Sequence, residues 1–449
     1  MNLHENIPRI QVGISSQPTI RFSLVGSFTS PALSQHLSGE CEGVASRDGI
    51  ALRRNGQVIG SANEVVIDPT NPSCEIILND VTIGVQFHWQ RKEDQRFVGG
   101  LKLIREGENI TAINVVSIED YLASVISSEM SADCSINLLK AHAITSRSWL
   151  LAQLAKSKRL KAGATKFPSL IETEIERIRW YDREDHANFD VCADDHCQRY
   201  QGITKAYTAS VKQAVESTSG VVLMSDGAIC DARFSKSCGG MVEEFQHVWE
   251  PVSYPYLKAV VDTADETTPL STDFSREENA AAWIRSTPDA FCNTRDKKIL
   301  SQVLLKYDQE TTDFFRWKVE YTQTELAEII RRRSGIDFGE IVDLLPIERG
   351  KSSRLTKLKI VGTKRTMIIG KELEIRRTLS NSHLYSSAFV VEKKDGVNGI
   401  PSGFTLRGAG WGHGVGLCQI GAAVMGERGY THEKILAHYF PQTEIKKIY

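Results

Sequence analysis

The densest group of potential metal ligands lies in residues 185–197, DHANFDVCADDHC. His186, Cys192, His196 and Cys197 offer two imidazoles and two thiolates, the donors that zinc prefers, and four such ligands form a closed tetrahedral structural site. The spacing departs from the common Cys-x-x-Cys pattern, and adjacent His196 and Cys197 require a curled backbone. The alternatives are a loop of unrelated polar residues and a redox pair of cysteines. If all four residues bind a metal, no open coordination position remains, so the metal stabilises the loop and does not catalyse.

Glu129 is the candidate general acid. It lies in the sequence SSEM, residues 127–130, where a predicted helix ends and the chain turns between apolar Ile126 and Met130. Partial desolvation there would raise the pKa of the carboxyl, and a raised pKa suits a group that protonates a leaving oxygen near neutral pH. The residue types alone favour the alternative, an ordinary surface glutamate at a helix end.

Arg147 is predicted to lie on the apolar face of the next helix, on the same side as Leu139. An arginine carried into an apolar surface needs a partner or a ligand. Two accounts remain open: a structural ion pair with Glu119 or Asp120, and a contact that lines a groove near Glu129.

Two glycine-rich motifs contain further candidates. Residues 407–416, RGAGWGHGVG, place five glycines around Trp411 and His413. Glycine lets the backbone approach a ligand closely, and an indole packs equally well on sugars and on apolar side chains. A tight structural turn is the alternative, whereas a dinucleotide-binding loop would require a βαβ unit that the sequence does not predict. Residues 237–240, SCGG, could hold a reactive thiol, but no nearby base is evident and a glycine turn is favoured.

These candidates must be positioned by a mixture of strands and helices. Residues 1–96 alternate short β-like runs with turn residues, which predicts a β-rich N-terminal domain with a hairpin around Asn79-Asp80, between residues 74–78 and 81–85. At Ser117 the apolar period becomes helical, and Ser117, Ser135 and Thr431 are predicted N-caps. The predicted later elements are the helices 135–157, 206–216, 277–312, 324–334 and 433–439 and a hairpin over 355–375.

Composition excludes several classes of protein. The 449 residues suggest two or three domains, and 41% hydrophobic with 24% charged residues is typical of a globular chain. The 54 basic and 56 acidic residues nearly cancel, so the charge does not indicate a nucleic acid partner. No apolar run approaches the roughly 20 residues of a membrane span. An odd number of cysteines, nine, does not indicate a disulfide framework, and those outside residues 185–197 are interpreted as buried small hydrophobes or inert thiols.

Several segments together resemble the stage II sporulation protein D (SpoIID) and LytB amidase-enhancer family. They occur in the family's order and cover about residues 97–449. The matching segments are VVSIEDYLASVISSEM (115–130), LKAHAITSR (139–147), DVCADDHCQ (190–198), SCGG (237–240) with Val248-Trp249, and GWGHGVG (410–416) with Gln419 and Gly421.

The resemblance implies an α+β fold with a SpoIID-like catalytic domain over residues 97–449, to which the β-rich residues 1–96 are appended. It implies a lytic transglycosylase that cleaves the MurNAc-GlcNAc strands of peptidoglycan, especially strands stripped of stem peptides. The roles it implies are Glu129 as the acid/base and Arg147 as a second catalytic residue, Ser237, Trp411, His413 and Gln419 as substrate contacts, and His186, Cys192, His196 and Cys197 as zinc ligands.

The implied chemistry agrees with a single candidate carboxylate. An ordinary glycosidase needs two, whereas a lytic transglycosylase protonates the glycosidic oxygen and then takes a proton from the muramic 6-hydroxyl, which closes onto C1. Two alternatives remain: a non-catalytic peptidoglycan-binding activator of a cell-wall amidase, and a zinc hydrolase with an open coordination position.

Two features depart from the family's pattern. Ser127 stands where the family commonly has proline, which predicts a less rigid loop before Glu129. The first 25 residues lack the basic start, apolar core and cleavage site of a signal peptide. Taken alone, they favour a cytoplasmic chain, whereas the implied substrate lies in the cell envelope.

Overall fold

The computed structural model describes residues 7–31, 33–47, 49–83, 90–164, 166–181, 186–194, 196–204, 208–264, 272–304 and 312–449. The chain divides into two compact units. Unit 1 comprises Met1–Asp133, Arg183–Val221 and Lys447–Tyr449, and unit 2 comprises Cys134–Asp182 and Val222–Lys446. Within the described residues, no helix combines the length and apolar character needed to cross a membrane.

The described residues form both strands and helices, as an α+β fold requires, and the first helix begins at Ile118. In chain order the elements are β1 (Arg9–Gln17), β2 (Thr19–Ser30), β3 (Leu33–Ser46), β4 (Gly49–Arg54), β5 (Gln57–Ala62), β6 (Glu64–Pro69), β7 (Glu75–Ile83), β8 (Arg91–Phe97), β9 (Gly100–Glu106), β10 (Asn109–Ser117), α1 (Ile118–Glu129), α2 (Ile136–Lys161), β11 (Leu170–Glu172), β12 (Glu176–Arg179), β13 (Val191–Cys192), α3 (Ala209–Ser217), β14 (Val221–Ser225), β15 (Ala228–Ile229), β16 (Phe234–Ser235), α4 (Phe245–Val248), α5 (Glu277–Arg285), α6 (Lys297–Val303), β17 (Arg316–Thr322), α7 (Gln323–Ser334), β18 (Ile341–Arg349), β19 (Leu355–Gly362), β20 (Thr366–Gly370), α8 (Glu372–Thr378), β21 (Phe389–Lys394), β22 (Gly403–Ala409), β23 (Leu417–Cys418), α9 (Gln419–Glu427), α10 (His432–Tyr439) and β24 (Glu444–Lys447).

Unit 1 is built on an eleven-stranded sheet in the order β13-β1-β10-β9-β6-β2-β3-β4-β5, with β7 paired to β2 and β8 paired to β7. The N-terminal region is therefore β-rich, as predicted. Its strands pair directly with later ones, because β1 runs antiparallel to β10 and β6 runs antiparallel to β9. The same sheet contains strands from before and after residue 96. A separate domain that ends at residue 96 therefore has no boundary within this sheet, and it stays a prediction.

The predicted hairpin at Asn79-Asp80 is wrong, because β7 continues through both residues. Asp80 has a φ of +55°, and the register with β8 shifts between Leu78 and Val81. A residue that tolerates positive φ serves a β-bulge as well as a turn. Pairing of β7 with β2 on one side and β8 on the other favours the bulge. Residues 84 and 85 of the predicted second strand lie outside the described residues.

Helix α1 places Glu129 at its C-terminal end. The Ser117 hydroxyl accepts a hydrogen bond from the Asp120 N–H at 3.1 Å, which confirms the predicted N-cap. The apolar face of α1 is fully buried, and the helix ends at Glu129 because Met130 is extended. The sheet of unit 1 thus leads through β10 directly into the helix that carries the candidate acid.

Three of the four helices predicted for unit 2 agree with the structure, whereas α8 begins inside the predicted hairpin over 355–375. Ser135 caps α2, which runs to Lys161, and α7 and α10 agree with their predicted positions. The single helix predicted over residues 277–312 is wrong, because α5 ends at Arg285 and α6 starts only at Lys297. Pro288 interrupts the segment, since proline lacks an N–H and restricts the residue before it.

A buried arginine holds the two glycine-rich motifs of unit 2 together. The Arg354 guanidinium donates hydrogen bonds to the carbonyl oxygens of Cys238 at 3.1 Å and Gly412 at 3.2 Å. Gly414, with a φ of +76°, lies against the same guanidinium, and a Cβ there would collide with it. Gly414 is therefore required for packing around Arg354.

A second buried network of unit 2 lies next to this one. The Glu243 carboxylate accepts hydrogen bonds from the Lys351 N–H at 3.0 Å, the Ser352 hydroxyl at 2.6 Å and His247 Nδ1 at 2.7 Å. Burial alone would raise the pKa of Glu243, but these bonds and the charge of His247 lower it. Burial alone would lower the pKa of His247, but the hydrogen bond and charge of Glu243 raise it.

Replacing Gly414 by alanine should destabilise the protein more than the same replacement at a glycine whose surroundings leave room for a Cβ. Gly335 has a nearly identical φ of +74° with no atom near its would-be Cβ, so it is the matched control. We expect Gly335→Ala to cost about 1 kcal/mol for the left-handed backbone. Gly414→Ala should cost about 2 kcal/mol more, because Arg354 must move. Urea unfolding measures both, and equal losses would contradict this role of Gly414.

The stabilisation from His247 and Glu243 should depend on pH. The Glu243 contribution is present above its unfolded pKa of about 4.3, and the His247 contribution is fully present below about 6.5. The contribution of Glu243 is lost as the pH falls through the pKa that Glu243 has in the folded protein. The contribution of His247 is lost as the pH rises through the pKa that His247 has in the folded protein. We expect His247→Gln to reduce the free energy of unfolding by about 1 kcal/mol more at about pH 5.5 than at about pH 9. Exposed His36 provides the control, and a pH-independent loss in His247→Gln would contradict the expectation.

Candidate active site and candidate metal centre

The carboxylate of Glu129 is held by the backbone of a distant loop of unit 1. Glu129 is half-buried, and its Oε1 accepts a hydrogen bond from the N–H of Arg199 at 2.9 Å. The two residues are seventy positions apart in sequence. A backbone donor fixes the orientation of a carboxylate more firmly than a mobile side chain does, because it loses no rotamer freedom.

The loop that carries Arg199 is attached to the sheet by its first part. Strand β13 runs parallel to β1, with Gly13 opposite Cys192, and the N–H of Ala193 donates to the Gly13 carbonyl at 3.0 Å. The chain then folds back, because the N–H of Tyr200 donates to the Ala193 carbonyl at 3.0 Å. The described residues 193, 194 and 196–200 therefore form a closed loop with both ends fixed.

The last part of the loop packs on α1 and β10. The ring of Tyr200 stacks on Tyr121 with 5.1 Å between centroids, and its hydroxyl donates to Asn114 Oδ1 at 2.6 Å. The N–H of Gln201 donates to the Ser124 hydroxyl at 3.1 Å. These contacts bring the loop to the helix whose last residue is Glu129.

The structure brings the four predicted metal ligands together within this loop region. One donor atom each from His186, Cys192, His196 and Cys197 lies within 4.8 Å of all the others. Cys197 Sγ is 3.4 Å from His186 Nε2 and 3.8 Å from His196 Nδ1. These separations are close to the edges of a tetrahedral zinc site, about 3.4–3.8 Å from its bond lengths. The required curl is present, since the Cys197 N–H donates to the Asp194 carbonyl at 3.0 Å.

The electrostatics of the cluster favour a thiolate. Hydrogen bonding from Cys197 lowers the pKa of Cys192 to about 2, against the opposing effect of burial, with His186 and His196 contributing further. Burial raises the pKa of nearby Tyr121, and the charges of the two cysteines add to that effect. The donor types, their spacing and their charge therefore fit zinc without any further ligand.

Arg147 lies on α2 in unit 2 and is fully buried, as its predicted helix face requires. Of the two predicted ion-pair partners, Glu119 accepts hydrogen bonds from the Tyr449 hydroxyl at 2.6 Å and the Gly220 N–H at 3.2 Å, and Asp120 accepts from the Ser117 hydroxyl at 2.6 Å. Glu129 belongs to unit 1 and Arg147 to unit 2.

Trp411 is the half-exposed aromatic residue of the glycine-rich motif. Its indole stacks on Phe314 with 4.9 Å between centroids and 2° between the planes, and Tyr385 meets it edge-on at 5.5 Å. Its backbone pairs with Ser237 through two hydrogen bonds of 2.8 and 2.9 Å. The indole is therefore rigidly oriented, as a stacking surface for a sugar would have to be.

Of the other three predicted substrate contacts, Ser237 and Gln419 are buried and His413 is half-buried. His413 Nδ1 accepts from the Val415 N–H at 3.0 Å, and burial lowers the pKa of His413 well below its usual value, so the ring is neutral. Gln419 is buried with its amide nitrogen 3.2 Å from His142 Nε2, and burial lowers the pKa of His142 to about 3. Ser237 is fully buried. Ser237 and Gln419 are thus placed to support the motif from beneath.

Sequence reasoning missed the residues that orient Glu129. Arg199 binds Glu129 through its backbone N–H, a group that every residue type except proline has, and Tyr200 and Asn114 are 86 positions apart in the sequence. The sequence contains one indication that Arg199 lies near a functional site, because Arg199 follows Cys197 of the cysteine and histidine cluster by two residues.

Known proteins resemble this chain over most of its length. Residues 106–224 match the family described as Stage II sporulation protein, and residues 243–416 match a domain of unknown function, DUF8618. An uncharacterized protein of Brachyspira hyodysenteriae (strain ATCC 49526 / WA1) is 26% identical over 349 residues, 78% of this chain and 72% of that protein. The amidase enhancer of Bacillus subtilis (strain 168) is 26% identical over 72% of this chain, but over only 40% of its own length.

The stage II sporulation protein D of Bacillus amyloliquefaciens is 21% identical over 75% of this chain and 76% of that protein. The resemblance to the SpoIID and amidase-enhancer family is therefore confirmed, by a SpoIID match within the chain and by relatives of both names that align with most of it.

Proposed function

We propose that the protein is a peptidoglycan lytic transglycosylase in which Glu129 acts first as general acid and then as general base. The observation that carries the proposal is the hydrogen bond from the Arg199 N–H to Glu129 Oε1 at 2.9 Å. It fixes a half-buried carboxyl at the end of α1, and an acid/base group must be held in a defined orientation to transfer a proton efficiently.

The proposed reaction uses this one carboxyl twice. Glu129 protonates the glycosidic oxygen as the bond from C1 of the muramic residue breaks. The resulting carboxylate then takes the proton of the muramic 6-hydroxyl, whose oxygen bonds to C1 and closes a 1,6-anhydro ring. Because the attacking oxygen belongs to the substrate, no second carboxylate is needed to activate water, in contrast to ordinary glycosidases.

The residues of unit 2 have supporting roles in this proposal. Trp411 offers a fixed indole face on which a sugar ring can stack. His413 offers a neutral ring that packs edge-on against Trp249. Arg147 is proposed as the second catalytic residue, in line with its position inside the SpoIID match over residues 106–224. Ser237 and Gln419 would shape the motif from its buried side.

Zinc is proposed as a structural ion held by His186, Cys192, His196 and Cys197. Four protein ligands complete its tetrahedral shell, so the ion would supply cross-linking of the loop and no catalysis. The loop has little regular structure, and its residue Arg199 holds Glu129. The ion would therefore preserve the orientation of the acid from a distance.

The family comparisons support this assignment and also favour one alternative. The SpoIID match over residues 106–224 contains Glu129, Arg147 and the cysteine and histidine cluster. One relative is named an amidase enhancer, which favours a non-catalytic role as a peptidoglycan-binding activator of a cell-wall amidase. In this alternative role, the chain would retain the binding residues but would not cleave glycan strands itself.

Glu129→Gln should abolish glycan cleavage while the protein still folds and binds its substrate. The amide oxygen of glutamine can accept the Arg199 N–H, but the side chain cannot donate and recover a proton, so we expect at least a roughly 100-fold loss of rate. Mass spectrometry of digests of intact sacculi and of peptide-stripped strands would count anhydro-muramic ends. Exposed Glu108→Gln is the matched control.

A fully active Glu129→Gln protein would contradict the proposed role. If the wild-type chain yields no anhydro products from either substrate but accelerates a cell-wall amidase, the activator alternative replaces the enzyme.

Cys197→Ala should reduce the zinc content by one equivalent per chain, because a tetrahedral site that lacks one of four ligands binds much more weakly. We also expect a lower melting temperature, since the loop of residues 193–200 loses its cross-link. Elemental analysis of the purified protein measures the zinc, and Cys41→Ala, a buried cysteine of unit 1 outside the cluster, is the control. Unchanged zinc in Cys197→Ala would contradict the site.

A further inference from the structure

Unit 2 contains a second group of potential metal ligands, whose members are far apart in the sequence. Cys238, Asp262, Cys292 and Cys418 come from four separate segments, and one donor atom of each lies within 4.8 Å of all the others. All four residues are buried. The cysteines are enclosed, as predicted for inert thiols, but their convergence around one point is not explained by packing alone.

We propose that these four residues form a binding site for a thiophilic divalent cation, best matched by zinc, with three thiolate ligands and one carboxylate ligand. Thiolates and carboxylates are established zinc ligands, and four of them complete a tetrahedral structural site. The site is independent of the chemistry proposed for Glu129 and of the cluster in unit 1.

The sulfur geometry agrees with ligands around a common ion. Cys238 Sγ lies 3.5 Å from Cys292 Sγ, near the edge of about 3.8 Å expected between two sulfurs on tetrahedral zinc. A disulfide requires about 2.05 Å and uses only two sulfurs. The thiol of Cys418 and the carboxylate of Asp262, both within 4.8 Å of these sulfurs, would have no role in a disulfide, but they have one in a four-ligand site.

The surrounding donors are arranged as they are around metal ligands. Cys418 Sγ accepts hydrogen bonds from the N–H groups of Cys238 at 3.2 Å and Gly421 at 3.4 Å. Asp262 accepts from the Tyr439 hydroxyl at 2.7 Å through Oδ1 and from the Cys292 N–H at 3.0 Å through Oδ2. Such outer hydrogen bonds orient ligand atoms and stabilise their charged forms.

The position of the site indicates what the cation would do. Cys238 follows Ser237, whose backbone pairs with Trp411, and Cys418 caps the N-terminus of α9 directly after the glycine-rich motif. An ion between them would cross-link the SCGG segment to the end of that motif. It would thereby complement Arg354, which joins the same two segments through their carbonyl oxygens.

The test is metal stoichiometry of the full chain, purified under reducing conditions and analysed by native mass spectrometry with Zn²⁺. We expect two equivalents for the wild type and one for Cys418→Ser. Cys230→Ser, which removes a buried cysteine of unit 2 outside the cluster, should keep both. Asp262→Asn is a milder second variant that retains all three thiols and should bind the second ion more weakly, should Cys418→Ser fail to fold.

Cobalt substitution gives an independent readout on the wild type. Two filled sites contain five cobalt–thiolate bonds, whereas the unit 1 site alone contains two. The sulfur-to-cobalt absorbance of the wild type should therefore be about 2.5-fold that of the unit 1 site alone. The Cys418→Ser spectrum should fall to the level of the unit 1 site. A wild-type chain that binds one ion and loses it in Cys197→Ala would overturn the proposal. A peptide containing a Cys238–Cys292 disulfide with no second ion would overturn it as well.

Discussion

The structure around the candidate acid depends on one hydrogen bond, from the Arg199 N–H to Glu129 Oε1. Helix α1 can place Glu129 but cannot orient it, because the helix ends there and a glutamate side chain retains several rotamers. The orienting donor comes from a loop with little regular structure. Its stability therefore depends on pairing with β1 and on the stacking of Tyr200 against Tyr121, and the cysteine and histidine cluster lies in the same region.

In unit 2, buried side-chain contacts likewise fix the backbone of a loop, in this case a glycine-rich one. A glycine-rich segment has few side chains with which to fix its own backbone, and its conformational entropy favours the unfolded state. Buried Arg354 supplies the missing contacts by donating to the carbonyl oxygens of two such segments. Gly414 must lack a side chain for the guanidinium to fit. The position of Arg354 therefore depends on glycine at residue 414.

Local signals in the sequence predicted the local structure well. The caps at Ser117, Ser135 and Thr431 and the burial of Arg147 follow from residue type and helical period, and the structure confirms them. Asp80 is the exception, because a turn and a bulge both favour a residue that tolerates positive φ, and only the neighbouring strands decide between them. Contacts between distant segments, such as that of Arg199 with Glu129, leave no spacing to detect.

The cysteine count has a consistent explanation once both clusters are considered. An odd number argued against a disulfide framework, but sequence alone offered only buried or inert thiols for most of the nine. Five of them belong to the two four-ligand groups, and the remaining four (Cys41, Cys74, Cys134 and Cys230) are buried. Metal coordination has no need for even numbers. Both groups also lie where loops must be fixed near candidate functional residues, which is where a cross-link stabilises most in the absence of regular structure.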